Sequence, residues 1–335
     1  MTPKTKSRLT LTLKITVAAL LIGYMLKSGL LDLEVLWGLM TFQNVAMAML
    51  FTGLNIVLCA WRWIILLRAR GFEVPFTYGL SLFLIGMFFN FALPGSIGGD
   101  VVKGYYLVKD HPERKVDAVL SILIDRILGL YSFFILTLVA VLWDFEFVMS
   151  HEKIRWVAGF SMAIFAAMTV FFLIAFSTRL SQWTGVESVG SRFQRVHRLL
   201  EAFHRFGKDR RTIGLSVAVS VAAQLVTMLF FYQFAVAYGE VDITWKAILF
   251  AVPMGFVVTA LPISPAGVGV GQVAFQYLFQ TYLGKATAFG TISITGLQII
   301  TLVWAVVGAV VYLRRGKPAD LAEVETEAAT ATSLP

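Results

Sequence analysis

Charge is scarce in this chain. Only 14% of its 335 residues are Asp, Glu, Lys or Arg, while 58% are hydrophobic and the mean hydropathy is +0.78. That balance excludes a water-soluble globule, whose surface needs about a quarter of its residues charged. Cysteine is rarer still. Cys59 stands alone in an apolar run, so no intrachain disulfide can form and the residue reads as a small packing side chain. The four histidines, His111, His151, His197 and His204, lie scattered in polar segments. They show no metal-ligand spacing with one another or with Cys59, so no metal site is expected. No P-loop pattern occurs, which argues against an ATPase, and no Ser-His-Asp set can be assembled. No catalytic residues and no cofactor are expected. The pair Asp144-x-Glu146 invites a metal-dependent glycosyl-transfer reading, but it is short and reads as a solvated turn.

Long apolar runs are abundant. Several reach the roughly 20 residues that cross a bilayer as a helix, and the alternating pattern of a barrel is missing. The expected fold is an all-α polytopic membrane protein with about six full spans, near 11–26, 42–67, 116–143, 154–176, 213–237 and 286–313. The basic start (Lys4, Lys6, Arg8, Lys14) resembles a signal peptide, but Tyr24-Met25-Leu26-Lys27 follows where small residues would mark cleavage. It is read as a retained first helix.

Two further apolar segments are interrupted. One reads Ala92-Leu93-Pro94-Gly95-Ser96-Ile97-Gly98-Gly99-Asp100. The other runs Ala260-Leu261-Pro262-Ile263-Ser264-Pro265-Ala266-Gly267-Val268-Gly269-Val270-Gly271-Gln272. Proline removes a backbone donor and glycine permits sharp bends, so Pro94, Gly95, Gly98, Gly99, Pro262, Pro265, Gly267, Gly269 and Gly271 should break each segment into a helical hairpin. The hairpins are expected over 76–108 and 245–283, each returning to its starting side. Broken backbone at membrane depth survives only when protein or a water-lined cavity satisfies it. The repeated Ala-Leu-Pro aligns two halves, about 42–143 and 213–313, that would run in opposite directions. Paired interruptions in inverted halves point to a transport site at their interface.

The net charge of +8 is distributed by topology rather than along a nucleic-acid face. With both termini cytoplasmic, only Lys27, Lys153, Arg155, Lys246 and Lys285 of the 28 Lys and Arg residues fall outside, and Arg126 falls within the membrane. That is the positive-inside pattern, and the expected location is a bacterial or archaeal cytoplasmic membrane. The polar segment 177–212 carries Val189, Phe193, Val196, Leu200 and Phe203 at helical spacing, interleaved with Arg192, Arg195, Arg198 and Arg205. Residues 189–206 are therefore expected as a basic amphipathic helix on anionic headgroups. Residues 314–335 are acidic and rich in Ala and Thr, and are expected to be disordered.

Four ordered motifs carry a family resemblance. Pro94-Gly95 with Gly98-Gly99-Asp100-Val101-Val102-Lys103 resembles the first signature of the lysylphosphatidylglycerol synthase transmembrane, or flippase-like, family. Arg62-Trp63, Asp125-Arg126 with Gly129, and Leu261-Pro262-Ile263-Ser264-Pro265 with Gly267, Gly269 and Gly271 follow in order. The resemblance implies lipid translocation over nearly the whole chain. It departs at Gly271 and Gln272, where the family often has Arg-Glu, and at Lys103, where Arg is common. With no aminoacyl-transferase domain after Leu313, a stand-alone member is expected.

Asp125 and Arg126 sit about 13 Å into a hydrocarbon core about 30 Å thick, where a charge costs roughly 3 kcal/mol. Arg126 is the candidate partner of a lipid phosphate and Asp125 its positioning group or proton carrier. The alternative is a structural ion-pair network with Arg62, Lys103 or Asp100. Asp100 and Lys103 share a face three residues apart, and with Gly98 and Gly99 they could cradle a phosphate at a helix start. Alternatively, Asp100 simply caps that helix. Asn90 is expected to satisfy freed backbone, with Gln272 as its polar counterpart in the second half or mere interhelical glue. Arg62, between two tryptophans, reads as an interfacial anchor, and only the resemblance places it in the site. Gln224 and Gln298 would line a polar path or pack. The expected substrate is a phospholipid or polyprenyl phosphate. A polytopic enzyme of lipid-linked glycan or phospholipid metabolism, or a non-transporting scaffold, is the alternative.

Overall fold

The computed structural model describes residues 33–92, 98–176, 203, 206–207, 209–239, 242–259 and 267–315. Helices α1 (Leu33–Gly38), α2 (Phe42–Ala69), α3 (Phe76–Ala92) and α4 (Gly98–Asp110) come first. A 3-10 turn, Pro112–Arg114, leads to α5 (Lys115–Trp143), α6 (Phe145–Ser150) and α7 (Glu152–Phe176). The chain continues through α8 (Arg210–Tyr238), α9 (Trp245–Thr259), α10 (Val270–Leu283) and α11 (Phe289–Arg314). No strand occurs among the described residues. Five helices, α2, α5, α7, α8 and α11, are long and apolar enough to cross a membrane, and match five of the six expected spans. The sixth, 11–26, lies outside the described residues, as do segment 189–206 apart from Phe203 and Phe206, and the tail beyond Arg315.

Local chemistry fixes the helix ends. Thr41 caps α2 by accepting from the Asn44 amide at 3.3 Å, and Asp209 caps α8 by accepting from the Thr212 amide at 3.0 Å. Gly239 and Gly284 close α8 and α10 in the left-handed conformation. Two short connecting stretches are helical. The stretch around Glu34 forms α1, because Leu36 buries against Gly296. The acidic turn expected around Glu146 is instead α6, because Val148 is fully buried and Phe147 packs against His151 and Tyr282 with tilted rings.

The packing follows a two-fold pattern. Taking α2 to α5 as one half and α8 to α11 as the other, α3 packs on α11 as α9 packs on α5. Likewise α5 meets α8 as α11 meets α2, and α3–α4 is matched by α9–α10. At the centre α2 and α8 run antiparallel, since Asn44 meets Gln233, Asn55 meets Ala223 and Arg62 meets Ser220. The halves are thus inverted relative to one another. Outside this arrangement α7 leans on α5 and turns Trp156 and Phe160 outward, as a lipid-facing helix does.

Both expected breaks separate short helix pairs, α3–α4 and α9–α10. The residues Pro94, Gly95, Pro262 and Pro265 lie outside the described residues. Gly269 caps α10 at φ +83, which few residues other than glycine adopt. Gly99 serves close approach, because a Cβ there would collide with the carbonyl of Gly86 on the opposing arm.

Candidate functional site

Two ion-pair systems meet where α2, α4 and α5 pack. Arg62 donates from Nε to Asp125 Oδ1 at 2.7 Å and from Nη1 to Ser220 Oγ of α8 at 3.1 Å. Both charged side chains are buried, at 6% and 4% exposure. Gly129, one turn beyond Asp125, leaves room for the guanidinium, since a Cβ there would stand 3.2 Å from Nη1. The interfacial-anchor reading of Arg62 is therefore overturned. Of its flanking tryptophans, Trp61 faces outward while Trp63 is fully buried and donates to Ser121 Oγ at 3.2 Å. Removal of either charge would strand the other away from water, so the pair is retained or lost as a unit.

Asp100, in the first turn of α4, bridges the second system. Its Oδ1 pairs with Lys103 Nζ at 2.8 Å and its Oδ2 with Arg126 Nε. Lys103 is buried with its ammonium 5.2 Å from the Trp63 ring centre and 5.1 Å from that of Phe83, close enough for cation–π attraction. Arg126 is about half exposed. Neighbours on one helix, Asp125 and Arg126 thus serve different partners, and Asp125 does not position Arg126. Asn90 accepts the Gly99 amide at 2.9 Å, satisfying backbone beside the break. Gly98 opens α4 beside it.

The second half repeats this position without charge. Gln272, like Asp100 the third residue of its helix, accepts the Gly269 amide at 2.7 Å. Its Nε2 reaches Gln298 Oε1 at 2.7 Å and Thr295 Oγ1 at 3.2 Å. One turn on, Gln276 accepts from the Thr291 hydroxyl at 2.9 Å and donates to the Thr287 carbonyl. Gly271 lies within α10, where a Cβ would stand 3.2 Å from Thr259, and Gly267 takes φ +72 just before the helix.

Between the halves lies a cavity of about 290 Å³. Thr52, Asn55 and Cys59 of α2, Gln224 and Thr227 of α8 and Thr301 of α11 give it polar groups. Phe83, Phe133 and Phe256 supply aromatic walls from α3, α5 and α9. Cys59 and Gln224 each sit one helical turn from Arg62 and Ser220, so the buried pair lies just beyond the lining of this space. Gln224 donates to Ser132 Oγ at 3.4 Å, while Gln298 joins the second-half network away from the cavity. Asn55 and Ser220 were missed by sequence reasoning. Their signal was a polar stripe at one-turn spacing, Asn55-Cys59-Arg62 on α2 and Ser216-Ser220-Gln224 on α8.

Comparison with known proteins agrees with this architecture. The family described as Lysylphosphatidylglycerol synthase TM region matches residues 11–309. A UPF0104 membrane protein of Methanothermobacter thermautotrophicus is 24% identical over 260 residues, covering 72% of this chain and 75% of its own. Because the family match runs through both inverted halves, this multi-pass membrane protein belongs to the lysylphosphatidylglycerol synthase transmembrane-region family.

Proposed function

We propose that the chain moves a phosphate-bearing lipid headgroup, of a phospholipid or a polyprenyl phosphate, across a bacterial or archaeal cytoplasmic membrane. Both termini lie on the cytoplasmic side, where Arg68, Arg70, Arg114, Lys115, Arg210, Arg211, Arg314 and Arg315 gather at one end of the helices. The α3–α4 and α9–α10 pairs act as re-entrant hairpins, and the headgroup passes between them while its tails stay in lipid. Arg126, Lys103 and Arg62 attract the phosphate, and Asp100 and Asp125 hold those cations in place. The chain acts as a transporter rather than an enzyme, drawing on an ion gradient or on the lipid gradient itself.

One observation carries this reading. A mainly apolar cavity with several polar groups is lined from both inverted halves, and the buried Arg62–Asp125 pair lies beyond it along α2 and α5. Intramembrane ionisable groups close to such a space are a mark of transport paths. The test is leaflet exchange of headgroup-labelled phospholipids by purified, reconstituted protein. Loss of exchange in both Asp125→Asn and Arg126→Gln supports the proposal. Chemical turnover of the lipid would favour a polytopic enzyme instead. Tolerance of both substitutions, with loss of function on deleting 189–206, would favour a scaffold that works through that basic segment.

A further inference from the structure

Two clusters at opposite ends of the bundle share a composition and occupy matched positions. At the basic end, Asp110 Oδ2 accepts from the Tyr78 hydroxyl at 2.7 Å and from Arg315 Nη2 at 2.9 Å. At the other end, Asp144 Oδ2 accepts from the Tyr282 hydroxyl, with Lys246 Nζ 3.8 Å from Oδ1. Each cluster is one tyrosine, one aspartate and one cation. Aromatic packing backs both, Arg315 over the rings of Tyr78 and Tyr106 and Phe147 against Tyr282.

The positions correspond one to one across the two halves. Tyr78 and Lys246 each precede the shared Ala-Leu-Pro by the same number of residues. Asp110 and Tyr282 follow Asp100 and Gln272, the third residues of α4 and α10, at the same distance. Arg315 and Asp144 are the C-cap residues of α11 and α5. The residue types are permuted, yet each cluster ties both arms of one helix pair to the last span of the opposite half. The 29 residues of α5 put the clusters about 40 Å apart, with the cavity between them.

We infer that these clusters are paired latches, one closing each end of the central cavity, and that they open alternately. This rests on the transport reading. A static tie at a helix end has no need to join both arms of a hairpin to the other half, or to recur at the inverted position. A latch does, because releasing it lets one hairpin tilt from the opposite half while the second latch keeps the far end shut.

Cys59, the chain's single cysteine, lines the cavity and reports which end admits water. The experiment follows its labelling by a membrane-impermeant maleimide in spheroplasts and in inverted vesicles, which expose opposite faces. Asp110→Asn should raise the labelling rate in one preparation and Asp144→Asn in the other, each by about tenfold, as loss of one charge-assisted bond implies. Tyr78→Phe and Tyr282→Phe, which remove one hydroxyl each, should follow their aspartate partners at smaller amplitude. They carry the test if an aspartate variant fails to fold. Unchanged labelling, or a rise from the same side or from both sides in both variants, would overturn the latches. Lipid exchange by the wild type is measured separately. Sided labelling without exchange contradicts the transport reading and keeps the gated cavity, whereas exchange without sided labelling contradicts the latches alone.

Discussion

Arg62 and Asp125 define the site because neither can be left alone. Both are buried, and the guanidinium also reaches Ser220 on the opposite half. Asp125→Ala should cost about 3–5 kcal/mol in unfolding measured in detergent, since it strands a buried charge. The double variant Arg62→Leu/Asp125→Leu should recover most of that loss yet remain inactive in exchange. Recovery of stability with recovery of activity would reduce the pair to packing. The sequence marked Asp125 clearly, because an acidic residue deep in an apolar run is costly wherever it points. It misplaced Arg62, because a span apolar on all sides does not disclose which face meets protein, and flanking tryptophans look alike until Trp61 turns out and Trp63 in.

The helix pairs depend on backbone contact that side chains would prevent. A Cβ at Gly99 would meet the Gly86 carbonyl, so Gly99→Ala should lower stability by about 1–3 kcal/mol and lower the thermal midpoint in detergent. Gly159→Ala on α7, where a Cβ meets nothing within 4 Å, should leave it unlowered or slightly raised. Equal effects would remove the close approach of α3 and α4 from the argument. Both breaks were legible, since proline and glycine punctuate an apolar run by their own backbone chemistry. The partners of Gln272 were not. Its bonds to Gln298 and Thr295 depend on the register of α10 against α11, which no local pattern encodes. Nor could composition reveal that the second half is neutral where the first is charged, because that contrast emerges only when Asp100 and Gln272 are superposed as third residues of matched helices.

The inverted packing of the two halves leaves one shared space, and blocking it should stop the protein without unfolding it. Cys59→Phe, which fills part of the 290 Å³ cavity, should abolish exchange while the thermal midpoint stays near the wild-type value. Undiminished exchange would move the path elsewhere. That the halves run in opposite directions was readable from the repeated Ala-Leu-Pro and the distribution of basic residues. That α3 packs on α11 and α9 on α5 was not, since those contacts join segments more than a hundred residues apart. The first experiment is leaflet exchange of headgroup-labelled phospholipids in proteoliposomes, comparing wild type with a folded Arg62→Gln variant. Transport through the shared cavity requires fast exchange by the wild type and its loss in the variant. Absence of exchange for every phosphate-bearing lipid tried, with or without a proton gradient, or equal rates in the two proteins, would contradict it.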